Sequence, residues 1–458
     1  MDNKYTAGID KFINDNRENI IRDIARLVAI NSVEGAAEPG APFGKGPKQA
    51  LELGLEICRE LGLEAVNCED KIGYGQIGDA EDYLATITHL DVVPVGEGWT
   101  GDPFTLRERE GYIIGRGVMD DKGPSVLCLY ALKYLKDAGV PLRYSIRALL
   151  GTNEETGMGD VEYYLDNYKA PVFCFSPDSG FPVCNGEKGI CNLRIVSRTK
   201  LDKIADIRGG VAGNVIPGKA EAWVKGAKPA ATESVSVEAD GELWHLTAKG
   251  IGGHASKPEG TVNAIGVLIS YILENKLAGE EEEKFLRLLM KLHESWDGSG
   301  LGVDADDGKF EPLTIIGGVI GVEDGHIFQT VDSRYPTNTS GRKIADTISA
   351  LAGGLAEIEL KRDTAPFYMS IDNPAVKVCM DVYNAVTGED AKPYTMGGGT
   401  YARDFPNGVS FGPEHPERSY PDFFGPIHGA DEAASIDEFM EALKIYILAL
   451  IELEAVEF

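Results

Sequence analysis

The amino-acid sequence predicts an α/β fold: a mainly parallel central sheet with helices on both faces, interrupted by a second α/β domain. Three observations carry this. Helical and strand-like patterns alternate over the first 180 residues, the middle of the chain has strands and helices of its own, and the first pattern returns from Pro374. The 458 residues suffice for two or three domains, and 43% hydrophobic with 26% charged residues is a globular composition.

In chain order, Phe12, Ile13, Ile20, Ile21, Ile24, Leu27 and Val28 recur mostly at helical spacing and predict an amphipathic first helix. The preceding Met1–Ala7 is polar and lacks the apolar core of a secretion signal. Residues 50–61 read as a helix, Tyr83–Thr88 as a strand and Ser125–Ala138 as a helix. Tyr144–Leu150 and Val172–Phe175 read as short buried strands, the apolar runs expected of a covered parallel sheet. In the middle section, Asn192–Ser197 and Lys219–Val224 read as strands and Thr261–Glu274 as a helix. The Glu280–Glu283 run opens another helix, where four carboxylates suit the positive end of its dipole. Thr314–Val319 and His326–Tyr335 read as strands, Lys343–Leu360 as a helix, and Ile436–Leu453 as an apolar C-terminal helix. The expected boundaries are 1–185 with 374–458 for the main domain and 186–373 for the insertion.

Lys plus Arg number 44 against 73 Asp plus Glu, a formal charge of −29. Such a chain repels phosphate backbones and anionic lipid, which excludes nucleic-acid and membrane partners. No run approaches the roughly 18 apolar residues of a membrane span. The seven cysteines are odd in number and irregularly spaced, with no CxxC, so they read as small buried hydrophobes of a cytoplasmic protein.

Open α/β sheets bind ligands beyond the C-terminal ends of their strands. There, strand 83–88 runs into His89-Leu90-Asp91, which suits a metal ligand and the carboxylate that orients it, or a structural histidine. In GRGVMDDKG, Asp120 and Asp121 precede a helix as caps or as a ligand on a rigid turn. Glu154 and Glu155 follow strand 144–150, and Asp178 follows strand 172–175 in SPDSG. Adjacent carboxylates beyond an apolar strand are costly unless solvated or sharing a cation. His428 lies in the late loop FGPIHGADE. This mixed N/O set suits zinc, manganese or cobalt.

HLDVVPVGEGW, GRGVMDDKG, NEETG, PDSG and HGADE, in this order along nearly the whole chain, resemble the co-catalytic metallopeptidases. That family includes carboxypeptidase G, aminoacylase, succinyl-diaminopimelate desuccinylase, carnosinase and dipeptidase V. The resemblance implies a metallopeptidase catalytic domain holding two divalent ions, zinc first, with manganese or cobalt as alternatives. It assigns His89, Asp120, Glu155, Asp178 and His428 as ligands, with Asp120 bridging, in a turn that often has a cis peptide bond after it. His89 and Asp178 would serve one ion, Glu155 and His428 the other. Asp91 would orient His89, and Glu154 would be the general base.

In the insertion, His254 in IGGHASKPEG resembles the oxyanion-stabilising histidine of the family's lid, with an ordinary loop histidine as the alternative. Asn214 in GNVIPG, Arg334 in DSRYPTN, and Gly398 and Gly399 in MGGGTYAR resemble substrate-binding residues of the dipeptidase V-like (Xaa-His dipeptidase) branch. Arg334 could clamp a substrate carboxylate in bidentate fashion or be a surface arginine. The insertion exceeds the roughly 100–150 residues of one compact domain. The dipeptidase V likeness then implies an enlarged lid and a monomer that uses its own His254. His245, His293, His326 and His415 match no motif. The expected activity is hydrolysis of unblocked dipeptides; an N-acyl-amino-acid amidohydrolase is the alternative, and an inactive metal-binding scaffold a remote one.

Overall fold

The computed structural model describes residues 5–458; Met1–Lys4, read above as part of a polar start, lie outside the described residues. The chain forms two compact units. One holds the residues up to Asn185 with Tyr368–Tyr394 and Gly399–Phe458; the other holds Gly186–Phe367 and Thr395–Gly398.

The first unit is built on a sheet with the order Glu64–Cys68, Ile72–Ile77, Ser145–Gly151, Tyr83–His89, Phe173–Ser176, Gly408–Phe411. Its centre is parallel: Tyr83–His89 pairs in parallel with Ser145–Gly151 on one side and Phe173–Ser176 on the other, and Gly408–Phe411 pairs in parallel with Phe173–Ser176. Ile72–Ile77 and Glu64–Cys68 add an antiparallel edge. Tyr83–His89 is buried at every position, as a strand covered on both faces must be. On one face Tyr83, Ile87, Leu149 and Cys174 pack with Val161 and Tyr164 of helix Gly159–Asn167. Helix Lys122–Asp137 is buried along most of its length and packs on Ile9–Val28 and Ile436–Leu453. Each fully buried Leu or Ile here contributes roughly 1.5–3 kcal/mol relative to exposure. Ser435 caps the last helix by accepting from the Glu438 N–H, and Asp437 and Glu438 sit in its first turn.

The second unit is an antiparallel sheet. Its order is Val235–Asp240, Leu243–Lys249, Lys219–Val224, Ile204–Gly209, Thr314–Glu323, His326–Tyr335, Gly189–Lys200, Ala356–Thr364. Alternating residues such as Ala220, Ala222 and Val224 face a core closed by helices Ala264–Glu274, Glu280–His293 and Gly341–Ala352. Glu282 of the acidic run is structural: its carboxylate accepts the backbone N–H groups of Gly279, Asp202, Lys203 and Ile204.

One element differs from expectation. The helix read over Lys343–Leu360 ends at Ala352, and Ala356–Thr364 is a strand against Gly189–Lys200. Gly353 takes φ +56°, which glycine adopts without strain, and beyond it Ile358 and Leu360 pack on the core at strand spacing. All seven cysteines are buried and unbridged. Among the described residues, no helix is long and apolar enough to cross a membrane.

Candidate metal centre

The parallel centre of the first unit brings three strand ends to one edge. His89 and Gly151 are register partners, so the chain leaves Tyr83–His89 and Ser145–Gly151 side by side, and Phe173–Ser176 ends two residues before Asp178. The Asp120 turn is the entry to helix Lys122–Asp137. A Cβ at Gly123 would overlap the Val118 carbonyl oxygen, so only glycine lets this helix start so close under the turn. The Asp120–Asp121 peptide bond is cis.

Asp120 stands between two imidazoles. Its Oδ1 lies 2.9 Å from His89 Nε2 and its Oδ2 lies 2.9 Å from His428 Nε2. His428 Nε2 is also 3.2 Å from Glu155 Oε2, and His89 Nε2 is 3.9 Å from Asp178 Oδ2. Potential ligand atoms of His89, Asp120 and Glu155 lie within 4.8 Å of one another, as do those of His89, Glu154 and Asp178. His89 donates from Nδ1 to the Asp91 carbonyl at 3.0 Å, which leaves Nε2 as the ring atom that faces the carboxylates.

Asp91 touches both His89 and the Glu154–Glu155 turn. Its carbonyl accepts from His89 Nδ1 at 3.0 Å, while its carboxylate lies 3.6 Å from the same nitrogen and also accepts the Glu154 and Glu155 N–H groups at 3.2 and 3.1 Å. The Asp91 side chain thereby fixes the Glu154–Glu155 turn. Three positioning groups stand out, of which the sequence offers Asp121 only as a cap or ligand and gives Asp160 and Glu432 no role. Asp121 Oδ2 accepts the His89 N–H at 3.2 Å. Asp160 accepts the N–H groups of Thr152 and Asn153 ahead of Glu154, and takes the Tyr401 hydroxyl. Glu432, within the HGADE motif, accepts the Asp120 N–H at 3.1 Å. Asp121 and Glu432 act on backbone N–H groups remote in sequence, and Asp160 on those of the turn seven and eight residues before it; among these the HGADE motif was a signal.

The electrostatics show an excess of negative charge. Burial raises Glu154 and Asp178 well above the usual carboxylate range, and the charges of Asp178 and Asp120 respectively add to the effect. Burial alone would raise Asp120 as well, but the facing rings of His428 and His89 outweigh it and hold that carboxyl low. Asp120 and Glu155 push His428 up to about 11. His89 Nε2 is buried and makes no aligned hydrogen bond, despite its short approach to Asp120. An orphaned imidazole nitrogen facing the buried Asp120 and the half-buried Glu154, Glu155 and Asp178 carboxylates fits a divalent cation, which would take the lone pairs that protons otherwise hold.

The remaining expected residues belong to the second unit, apart from Gly399. His254 pairs with Val215 in a short antiparallel ladder; its Nδ1 lies 2.8 Å from Ser256 Oγ and accepts the Ser256 N–H. Asn214 accepts the Ala255 N–H through its carbonyl. Arg334 is buried, held by Asp332, and donates from Nη1 to the Gly397 carbonyl at 2.9 Å. Gly398 and Gly399 lie between strand Tyr394–Met396 and the turn of helix Tyr401–Asp404. The unassigned histidines have local partners: His245 faces Glu221, His293 Gln329, and His326 the Ser197 carbonyl, while His415 packs beside Phe181.

The profile of peptidase family M20/M25/M40 matches residues 85–452. The chain is 33% identical to the Beta-Ala-Xaa dipeptidase of Lactobacillus delbrueckii subsp. lactis over 95% of its own length and 96% of that protein. In fold it is similar to human carnosine dipeptidase 1, with a TM-score of 0.59 at 14% identity, covering 98% of this chain and 99% of that one. It is similar also to aminoacylhistidine dipeptidase from Vibrio alginolyticus, with a TM-score of 0.59 at 13% identity, covering 94% and 96%. The motifs, the cluster at the sheet edge and the match along most of the chain agree: this chain belongs to peptidase family M20/M25/M40 and is a hydrolase of peptide bonds.

Proposed function

We propose that the protein is a metal-dependent dipeptidase that cleaves unblocked dipeptides. One observation carries this reading: Asp120 offers one oxygen to His89 and the other to His428, as a carboxylate shared by two cations would. The 33% identity to a Beta-Ala-Xaa dipeptidase supports the substrate class.

His89 and Asp178 would hold one ion, Glu155 and His428 the other, and Asp120 both; zinc is the first candidate, manganese and cobalt the alternatives. Two such ions supply Lewis-acid polarisation of the scissile carbonyl and acidify the attacking water. Glu154 takes the proton of that water and delivers it to the leaving amine. Its carboxylate is aimed by the N–H groups that Asp91 accepts. His254 donates to the developing oxyanion from Nε2; the Ser256 N–H donated to Nδ1 supports a neutral ring with its proton on Nε2. Arg334 with Asn214, Gly398 and Gly399 receives the substrate's carboxylate end.

The insertion 186–373 acts as a lid of the same chain, so the working form is a monomer; sedimentation to an obligate dimer would contradict this. Seven unbridged cysteines support a cytoplasmic setting. The deciding assay sets Xaa-Ala and β-Ala-Xaa dipeptides against acetylated and succinylated amino acids, with added zinc, manganese or cobalt. Turnover of the dipeptides alone is expected; preference for the acylated amino acids would make the protein an amidohydrolase.

A further inference from the structure

Resting on the two-cation reading above, we propose that Glu432, paired with Arg116, is a positioning residue that sets the affinity of the His428 side of the centre. The pair is buried, with Glu432 at 0% and Arg116 at 1% exposure. Glu432 Oε1 accepts the N–H groups of Met119 at 3.0 Å and Asp120 at 3.1 Å. Oε2 accepts the Gly117 N–H at 3.0 Å and Arg116 Nη1 at 2.7 Å. Arg116 Nη2 then donates to the carbonyl of Gly429, next to His428, at 3.1 Å. The Gly115 N–H returns to the Glu432 carbonyl at 2.9 Å. One carboxylate thus gathers three N–H groups of the Asp120 turn, and its arginine partner ties that turn to the His428 loop.

The two imidazoles depend on this brace unequally. His89 ends a buried strand, and Asp121 and the Asp91 carbonyl hold its backbone and ring. The His428 side chain is 54% exposed, so packing does little to place it. Its backbone sits at φ +59°, and Asp431 three residues on at φ +54°, a region that non-glycine residues enter only when the surroundings demand it. Asp431 ties the loop outward, accepting from Thr100 and Arg107. The tie inward, toward Asp120, is Glu432 with Arg116. Outer hydrogen-bond partners that orient ligands typically govern metal affinity by about 10–100-fold.

The test is zinc binding by apo-protein in equilibrium dialysis, with metal counted by mass spectrometry. Wild type is expected to take up two equivalents. Glu432→Gln keeps one tight equivalent while the second weakens about 10–100-fold, and excess zinc restores activity. Arg116→Lys keeps the charge but loses the branch to Gly429, and weakens the same equivalent to a smaller extent. Should Glu432→Gln fail to fold, Arg116→Lys decides alone. Two equivalents bound with wild-type affinities, or both weakened equally, would overturn the proposal. Wild type binding fewer than two equivalents would instead overturn the two-cation reading, and this proposal with it.

Discussion

Asp332 grips Arg334 along one strand: Oδ1 accepts from Nε at 2.7 Å and Oδ2 from Nη2 at 3.2 Å. The two residues are two apart on His326–Tyr335, so their side chains share one face of the sheet. The guanidinium edge best suited to a bidentate carboxylate is therefore already taken, and a substrate carboxylate would meet the Nη1–Nη2 edge. Asp332 makes the arginine rigid at the cost of part of its donor set.

Arg334→Ala is expected to raise KM for dipeptides by about 10–100-fold with a smaller change in kcat, since it removes an interaction made to the ground state as well as the transition state. Asp332→Asn leaves the arginine charge but loosens its orientation, and a severalfold rise in KM is expected. Steady-state kinetics check both; an unchanged KM in Arg334→Ala would remove this residue from the substrate's carboxylate end.

Glu154→Ala is expected to keep both divalent ions and to lose about 10²–10⁴-fold in kcat, the usual worth of a placed proton acceptor. Metal analysis of the inactive variant separates a base from a ligand. Loss of one equivalent would make Glu154 a ligand beside His89 and Asp178, whose ligand atoms lie within 4.8 Å of its own.

Much of this centre was readable from sequence because its chemistry sits at strand ends. His89, Glu155 and Asp178 each follow an apolar run, and Asp120 and His428 lie in glycine-marked loops. What was not readable works through the backbone at long range. Asp121 and Glu432 accept N–H groups from distant segments, and although both lie in marked motifs, the pattern does not say which backbone groups they hold; Asp160 carries no such mark. The strand Ala356–Thr364 was hidden for a local reason, since apolar residues continue past Ala352 at spacings that fit either period, and only the Gly353–Gly354 pair signals the break.

Chelation is expected to lower the melting temperature, because Asp120, Glu154, Glu155 and Asp178 would lose their counter-charge. Ions at about 100 times their dissociation constant stabilise by about 2.7 kcal/mol, and at 2–4 °C per kcal/mol the shift is roughly 5–10 °C. Scanning calorimetry with and without chelator, followed by zinc readdition, checks it. An unchanged melting temperature would contradict cation binding at this cluster.

The second unit should carry its own acid sensitivity. His293 is half-buried, and the loss of solvent around its ring outweighs the hydrogen bond with Gln329 to push its pKa down to about 4 from 6.5. Between those values the unfolded chain binds the proton and the folded chain does not, so stability is full above pH 6.5 and falls as pH drops toward 4. The loss amounts to roughly 3 kcal/mol. Denaturant unfolding of full-length His293→Gln across this range should show a shallower decline than wild type; identical slopes would rule out His293 as the source.

The most direct test of the central claim is a crystal structure of the zinc-loaded protein with anomalous diffraction recorded at the zinc edge. Two peaks about 3.5–4 Å apart are expected, one on each side of the Asp120 carboxylate. One should be bounded by His89 and Asp178 and the other by Glu155 and His428. A single peak, or a pair not shared by Asp120, would contradict the account.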